Sequence, residues 1–120
     1  MTGVIPAAKP LVGEEERAAV DAVLRSGGLA QGPQVAAFET EFSEWVAGRE
    51  CIAVNSGTSA LHMALLALGV GAGDEVIVPS FTFAATANAV ALVGATPVFV
   101  DIEPASFCIS PEAITEAITA

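Results

Sequence analysis

Between Val76 and Val100 the chain carries no charged residue, and few structures can accommodate such a stretch. A bilayer crossing needs roughly 20 consecutive apolar residues. Pro79, Asn88, Gly94, Thr96 and Pro97 interrupt the stretch before any run of that length is reached. A buried strand, a helix and a second strand fit it better. Glu75–Val78 predicts a strand ended by Pro79, residues from about Thr82 to Val93 a helix that is apolar almost all round, and Thr96–Val100 another strand.

This alternation extends in both directions. Upstream, Cys51-Ile52-Ala53-Val54 is a short apolar run that predicts a strand. Thr58–Leu68 has helical character ending at Gly69, and Gly71-Ala72-Gly73-Asp74 is a turn. Downstream, Ser110-Pro111-Glu112 opens a further helix with an N-cap and a proline at its first position. Strands without polar alternation, separated by helices, imply a parallel sheet covered on both faces. The class is α/β.

The first fifty residues differ. Pro6 and Pro10 flank Lys9 in what reads as an extended arm. Gly13-Glu14-Glu15-Glu16 opens a helix to about Arg25, with acids in its first turn and a base near its end, both favourable to the helix dipole. Gly27-Gly28 stops it, and the loop from Gly27 to Pro33 leads to a second helix from Gln34 to Ala47. There Val35, Phe38, Phe42, Trp45 and Val46 form one apolar face, with Gly48 as the stop. The expected organisation is an arm with two helices over 1–50, then the first strand and helix repeats of a larger domain over 51–120.

Four Lys plus Arg stand against 14 Asp plus Glu, a formal charge of -10. That excludes a general nucleic-acid or anionic-membrane surface. Hydrophobic residues make up 53% of the 120, a surplus suggesting faces that further chain or a second subunit covers. Cys51 and Cys108 lie in apolar stretches without metal spacing, and Met1-Thr2-Gly3-Val4 lacks the character of a leader. A cytoplasmic protein with reduced, buried thiols is expected.

In an open parallel sheet, ligands bind beyond the carboxyl ends of the strands, where helix N-termini aim unpaired N–H groups. Asn55-Ser56-Gly57-Thr58-Ser59 occupies such a position. Gly57 admits an anion close to the backbone, the Thr58 and Ser59 amides can face it, and the hydroxyls of Ser56, Thr58 and Ser59 add donors. A phosphate is the natural guest. An ordinary strand-to-helix turn capped by Ser56 suits the same residues, and spacing alone does not separate the two. The turn is neither a Walker loop nor a dinucleotide fingerprint.

Pro79-Ser80-Phe81-Thr82-Phe83 places two aromatic rings at the same sheet edge. One could stack on a flat heteroaromatic ring, although core packing is the commoner use of such side chains. Asp101 ends the last strand at that edge and reads first as a turn carboxylate before Pro104. His62, the single histidine, lies within a helix and has no evident nucleophile or acid partner. One histidine and two distant cysteines make no metal site.

At these residues the sequence resembles the fold-type I, pyridoxal-phosphate-dependent sugar aminotransferases of the DegT/DnrJ/StrS type. The likeness runs from Ile5-Pro6 and Lys9-Pro10, through Leu29-Ala30-Gln31-Gly32-Pro33 and Asn55-Ser56-Gly57-Thr58-Ser59-Ala60-Leu61-His62. It continues through Gly73-Asp74-Glu75-Val76-Ile77-Val78-Pro79-Ser80-Phe81-Thr82-Phe83 to Gly94-Ala95-Thr96-Pro97-Val98-Phe99-Val100-Asp101. Each piece is weak, but their order and spacing together are specific. The resemblance implies that Gly57, Thr58 and Ser59 hold the phosphate of pyridoxal 5'-phosphate and that Phe83 stacks on its ring. It also implies the N-terminal part of an aspartate aminotransferase-like large domain, mainly parallel sheet with flanking helices. Where other members often carry an aromatic residue and a threonine, this chain has Gly28 and Ala30.

The same resemblance implies an amino-acid donor such as glutamate, a nucleotide-linked keto-sugar as acceptor, and a homodimer when complete. Transamination of this type needs a Schiff-base lysine and an acid on the pyridine nitrogen. Lys9, in the arm, is the only lysine. The family's lysine and aspartate come from positions beyond Ala120, so no catalytic residue is expected here and this chain should be inactive alone. Two alternatives stay open: a non-enzymatic module binding a phosphate ligand, and a family relative performing sugar dehydration.

Overall fold

A computed structural model describes residues 6–118. The chain forms two compact units, Met1–Ala53 and Val54–Ala120.

The first unit holds two helices shaped by local signals. Helix α1, Glu14–Ser26, carries Glu14, Glu15 and Glu16 in its first turn and Arg25 in its last. The Gly13 N–H donates to Glu16 Oε2 at 2.6 Å. Because glycine has no side chain to reciprocate, only the carboxylate half of a capping box forms. That amide, followed by Glu16's own, holds the Glu16 carboxyl below its ordinary value. Arg25 Nε donates to Asp21 Oδ2 at 2.6 Å, one turn back on the exposed surface, a pairing worth about 0.2–0.5 kcal/mol. Gly27 ends the helix at φ 73, its N–H donating to the Leu24 carbonyl.

Helix α2 runs from Pro33 to Trp45, with proline at its first position. Ala47 and Gly48 both turn left-handed, at φ 60 and 73, and the Gly48 N–H reaches the Ser43 carbonyl at 2.8 Å. Phe38 and Phe42, one turn apart, pack with ring centroids 5.7 Å apart. No residue of either helix is buried. Trp45 on the expected apolar face is 88% exposed.

Cys51–Val54, expected as a strand, is not one. A strand exists through its ladder, and the described residues supply no neighbour to this run. The Ala53 N–H donates to Glu39 Oε1 at 2.7 Å.

The second unit contains helix α3 (Gly57–Ala67), strand β1 (Glu75–Pro79), helix α4 (Ala85–Leu92), strand β2 (Thr96–Val100) and helix α5 (Pro111–Ala117). Strands β1 and β2 are parallel, with Ile77 opposite Val98. Their ladder continues through Thr96 N–H to the Asp74 carbonyl at 2.9 Å and Ser80 N–H to the Val100 carbonyl at 2.8 Å. A parallel pair needs a crossover, and α4 supplies it. Val78 on β1, Val90 on α4 and Ala95 form the buried cluster, with Leu65, Val70, Val76 and Val93 packed around it. Burial of a valine on this scale stabilises by about 1.5–3 kcal/mol.

The α/β arrangement with parallel strands and flanking helices is the expected one. Three details differ. Burial on both sheet faces is met only in part, since Phe99 is 57% exposed. Helix α4 begins at Ala85 rather than near Thr82. There the Thr82 and Thr86 hydroxyls pair at 2.9 Å and the Thr86 N–H donates to the Phe83 carbonyl, so a turn precedes the helix proper. Cys108, expected to be buried, is exposed. It sits in a loop closed by a single antiparallel bridge between Ile102 and Ile109, where Phe107 is left-handed at φ 58. Both cysteines are free. No helix among the described residues is long and apolar enough to cross a membrane.

Candidate functional site

Helix α3 starts on an extended residue, Ser56, at φ -162 and ψ 158. The Ser56 hydroxyl oxygen accepts the Ser59 N–H at 3.1 Å, and the Ser56 carbonyl accepts the Ala60 N–H at 3.1 Å. Ser59 Oγ donates to Asn55 Oδ1 at 2.6 Å and lies 3.0 Å from Ser56 Oγ. The Ser56 cap is therefore formed, and it engages the Ser59 amide, one of the donors that spacing offered to an anion.

The amides of Gly57 and Thr58 behave differently. Neither makes a hydrogen bond among the described residues. A side chain built at Gly57 would meet nothing within 4 Å, so the space beside Gly57 is open. The helix dipole adds partial positive charge there. The Thr58 and Ser59 side chains are half-buried, whereas Asn55, Ser56 and Gly57 are exposed.

Residues 54–118 contain no lysine or arginine, and their acids are Asp74, Glu75, Asp101, Glu103, Glu112 and Glu116. An anion at this turn would be held by backbone and hydroxyl donors within the unit, without a cationic side chain from it. Beside the turn, Thr58 lines a hollow of about 350 Å³ with Asn88, Ala91 and Leu92 of α4. Asn88 was not visible as a neighbour of the turn in the sequence. Only the packing of α3 on α4 reveals it.

The two aromatic candidates separate clearly. Phe81 packs on Phe107 with centroids 5.7 Å apart and planes at 44°. Phe83 is 81% exposed, and its ring meets no other aromatic ring among the described residues. Phe83 therefore has an open face in the connection between β1 and α4. Asp101 acts as a turn carboxylate, its Oδ1 accepting the Ile102 N–H at 2.8 Å. His62 is half-buried on α3. No group of His, Cys, Asp and Glu among the described residues could hold a metal ion. Among the described residues, the arrangement leaves two helix-start amides without a partner and Phe83 exposed, while none of these residues forms a nucleophile and base pair.

Residues 10–120 match the model of the DegT/DnrJ/EryC1/StrS aminotransferase family. Among solved structures, the chain is similar to a protein of Streptococcus pneumoniae assigned as a sugar aminotransferase and determined in PMP, PLP and apo forms. The identity is 39% and the TM-score 0.90, covering 96% of this chain and 29% of that one. It is also similar to an aminotransferase from Psychrobacter cryohalolentis, with 43% identity, a TM-score of 0.86, and 94% of this chain matched to 29% of that one. NtdA of Bacillus subtilis, determined with bound cofactor PMP, matches at 45% identity and TM-score 0.83 over 88% of this chain and 24% of its own. The chain thus spans under a third of the length of these relatives, and it belongs to the DegT/DnrJ/EryC1/StrS aminotransferase family.

Proposed function

We propose that this chain contributes the phosphate-binding turn and the ring-stacking residue of a pyridoxal-phosphate site in an enzyme that aminates a nucleotide-linked keto-sugar, with glutamate as donor. The observation that carries the reading is the pair of amides at Gly57 and Thr58 with no partner among the described residues, in a family whose solved members include PLP and PMP forms. Unpartnered donors at a helix start suit a phosphate ester. In this reading the Gly57-Thr58-Ser59 turn holds the phosphate, and the open face of Phe83 lies against the pyridine ring. When bound, the cofactor supplies the electron sink that makes amino-group exchange possible.

The chain's own residues bind and orient; they do not move the substrate proton. Residues 54–118 contain no lysine, and Lys9 precedes α1 in the other unit. The reacting amine is supplied from elsewhere, and this chain alone is inactive. The complete enzyme is a cytoplasmic homodimer serving amino-sugar synthesis.

Gly57→Pro tests the phosphate reading. Proline is favoured at the first helical position and removes the N–H without breaking an intrahelical bond. Ser56 already has the extended backbone that a residue before proline adopts. The variant is expected to keep its helix content and to bind pyridoxal 5'-phosphate about tenfold or more weakly, while affinity for unphosphorylated pyridoxal stays constant. Gly57→Ala, which retains the N–H, controls for bulk. Equal affinity in Gly57→Pro and the unaltered chain would overturn the assignment. Borohydride treatment with the cofactor tests inactivity: a covalent label on Lys9 accompanied by turnover would refute it.

A further inference from the structure

We propose that Phe107 is a positioning residue: its ring, fixed by the loop between β2 and α5, holds Phe81 and through it the connection that displays Phe83. The inference rests on the stacking role given to Phe83 above and adds the loop that supports it.

Strands β1 and β2 are parallel, so the connection after β1 and the loop after β2 leave the sheet at the same edge. The connection is pinned on either side of Phe81. Before it, the Ser80 N–H donates to the Val100 carbonyl at 2.8 Å. After it, the Thr82 and Thr86 hydroxyls pair at 2.9 Å, and the Thr86 N–H donates to the Phe83 carbonyl at 3.0 Å. Phe81 itself makes no backbone hydrogen bond among the described residues. Its ring packs on Phe107 instead, with centroids 5.7 Å apart.

The loop carrying Phe107 is the firmer partner. Ile102 and Ile109 bridge its base. The Phe107 N–H donates to the Glu103 carbonyl at 2.8 Å, and the Glu103 N–H to the Cys108 carbonyl at 2.9 Å. Ser106 Oγ donates to Glu103 Oε2 at 3.0 Å and accepts the Cys108 N–H at 3.2 Å. Within this frame Phe107 takes φ 58, a left-handed backbone that a bulky residue rarely adopts and glycine adopts freely. Both Phe81 and Phe107 are exposed, so burial in the core does not account for a phenylalanine where glycine fits better. The contact with Phe81 does.

Because glycine suits that backbone, Phe107→Gly removes the ring without straining the loop, and Phe107→Tyr keeps a ring. The full chain is given one tryptophan in the connection by Phe83→Trp in a Trp45→Phe background, Trp45 being the single native one. Phe107→Gly is expected to raise the fast local amplitude of its time-resolved anisotropy about twofold, and Phe107→Tyr to leave it unchanged, both at constant helix content. A role in the fold as a whole would lower helix content instead. Without the reporter, Phe107→Gly is expected to weaken pyridoxal 5'-phosphate binding about threefold, to leave inorganic phosphate binding unchanged, and to add nothing in a Phe83→Ala background. Unchanged anisotropy on Phe107→Gly overturns the proposal, as does an equal loss of affinity with and without Phe83. If Phe83→Ala itself leaves pyridoxal 5'-phosphate affinity unchanged, the stacking reading fails. If Phe83→Ala weakens it and Phe107→Gly does not, Phe107 alone loses its role.

Discussion

The two units stand in contrast: one has regular helices and no buried residue in them, the other a small core and the candidate site. Helices α1 and α2 are set by signals readable within a few residues: Glu16 on the Gly13 amide, Pro33 at a first position, left-handed Gly27 and Gly48. The second unit is set by distance. Val78, Val90 and Ala95 come from a strand, a helix and the position just before β2, which meet only when β1, α4 and β2 assemble. Local signals specify where a helix begins and ends, but long-range burial supplies most of a fold's stability.

That contrast can be broken by experiment. Val90 is 2% exposed, so Val90→Ala is expected to destabilise the second unit by about 2 kcal/mol in denaturant unfolding. A cost near zero would mean that the cluster is not a core. In the first unit the sensitive position is a signal. Gly27→Ala forces a side chain into a left-handed conformation and should cost about 1 kcal/mol, read as reduced helicity. Val20, 59% exposed on α1, is the matched control for Val90. Val20→Ala should shift stability by less than about 0.5 kcal/mol.

The smallest effect expected is one of pH. Because the folded carboxyl of Glu16 is held below its ordinary value, its contribution to α1 is full above the unfolded pKa. It is lost as pH falls through the lower, folded pKa. Helicity followed from neutral to acid pH should lose this component in the native chain and lack it in Glu16→Gln. Identical titrations would remove Glu16 from the cap.

Local legibility accounts for what could be read beforehand. The limits of β2 follow from Thr96–Val100 itself, and the start of α5 from Ser110, whose hydroxyl does accept the Ala113 N–H at 3.2 Å. The Cys51–Val54 run misled because apolar composition reports a wish for burial, not the presence of a pairing strand. Cys108 misled similarly, its apolar neighbours being part of an exposed loop. At the turn, spacing offered Gly57, Thr58 and Ser59 alike and could not reveal that the Ser59 N–H is taken by the Ser56 hydroxyl oxygen.

The absence of lysine and arginine from residues 54–118 has a consequence for kinetics. A dianionic phosphate approaching this unit meets a negative field until it is within reach of the helix start, because amide dipoles act only at short range. Added salt ordinarily weakens phosphate binding by screening attraction. At the proposed site it would screen repulsion, so the unit's own contribution to the association rate should rise with ionic strength.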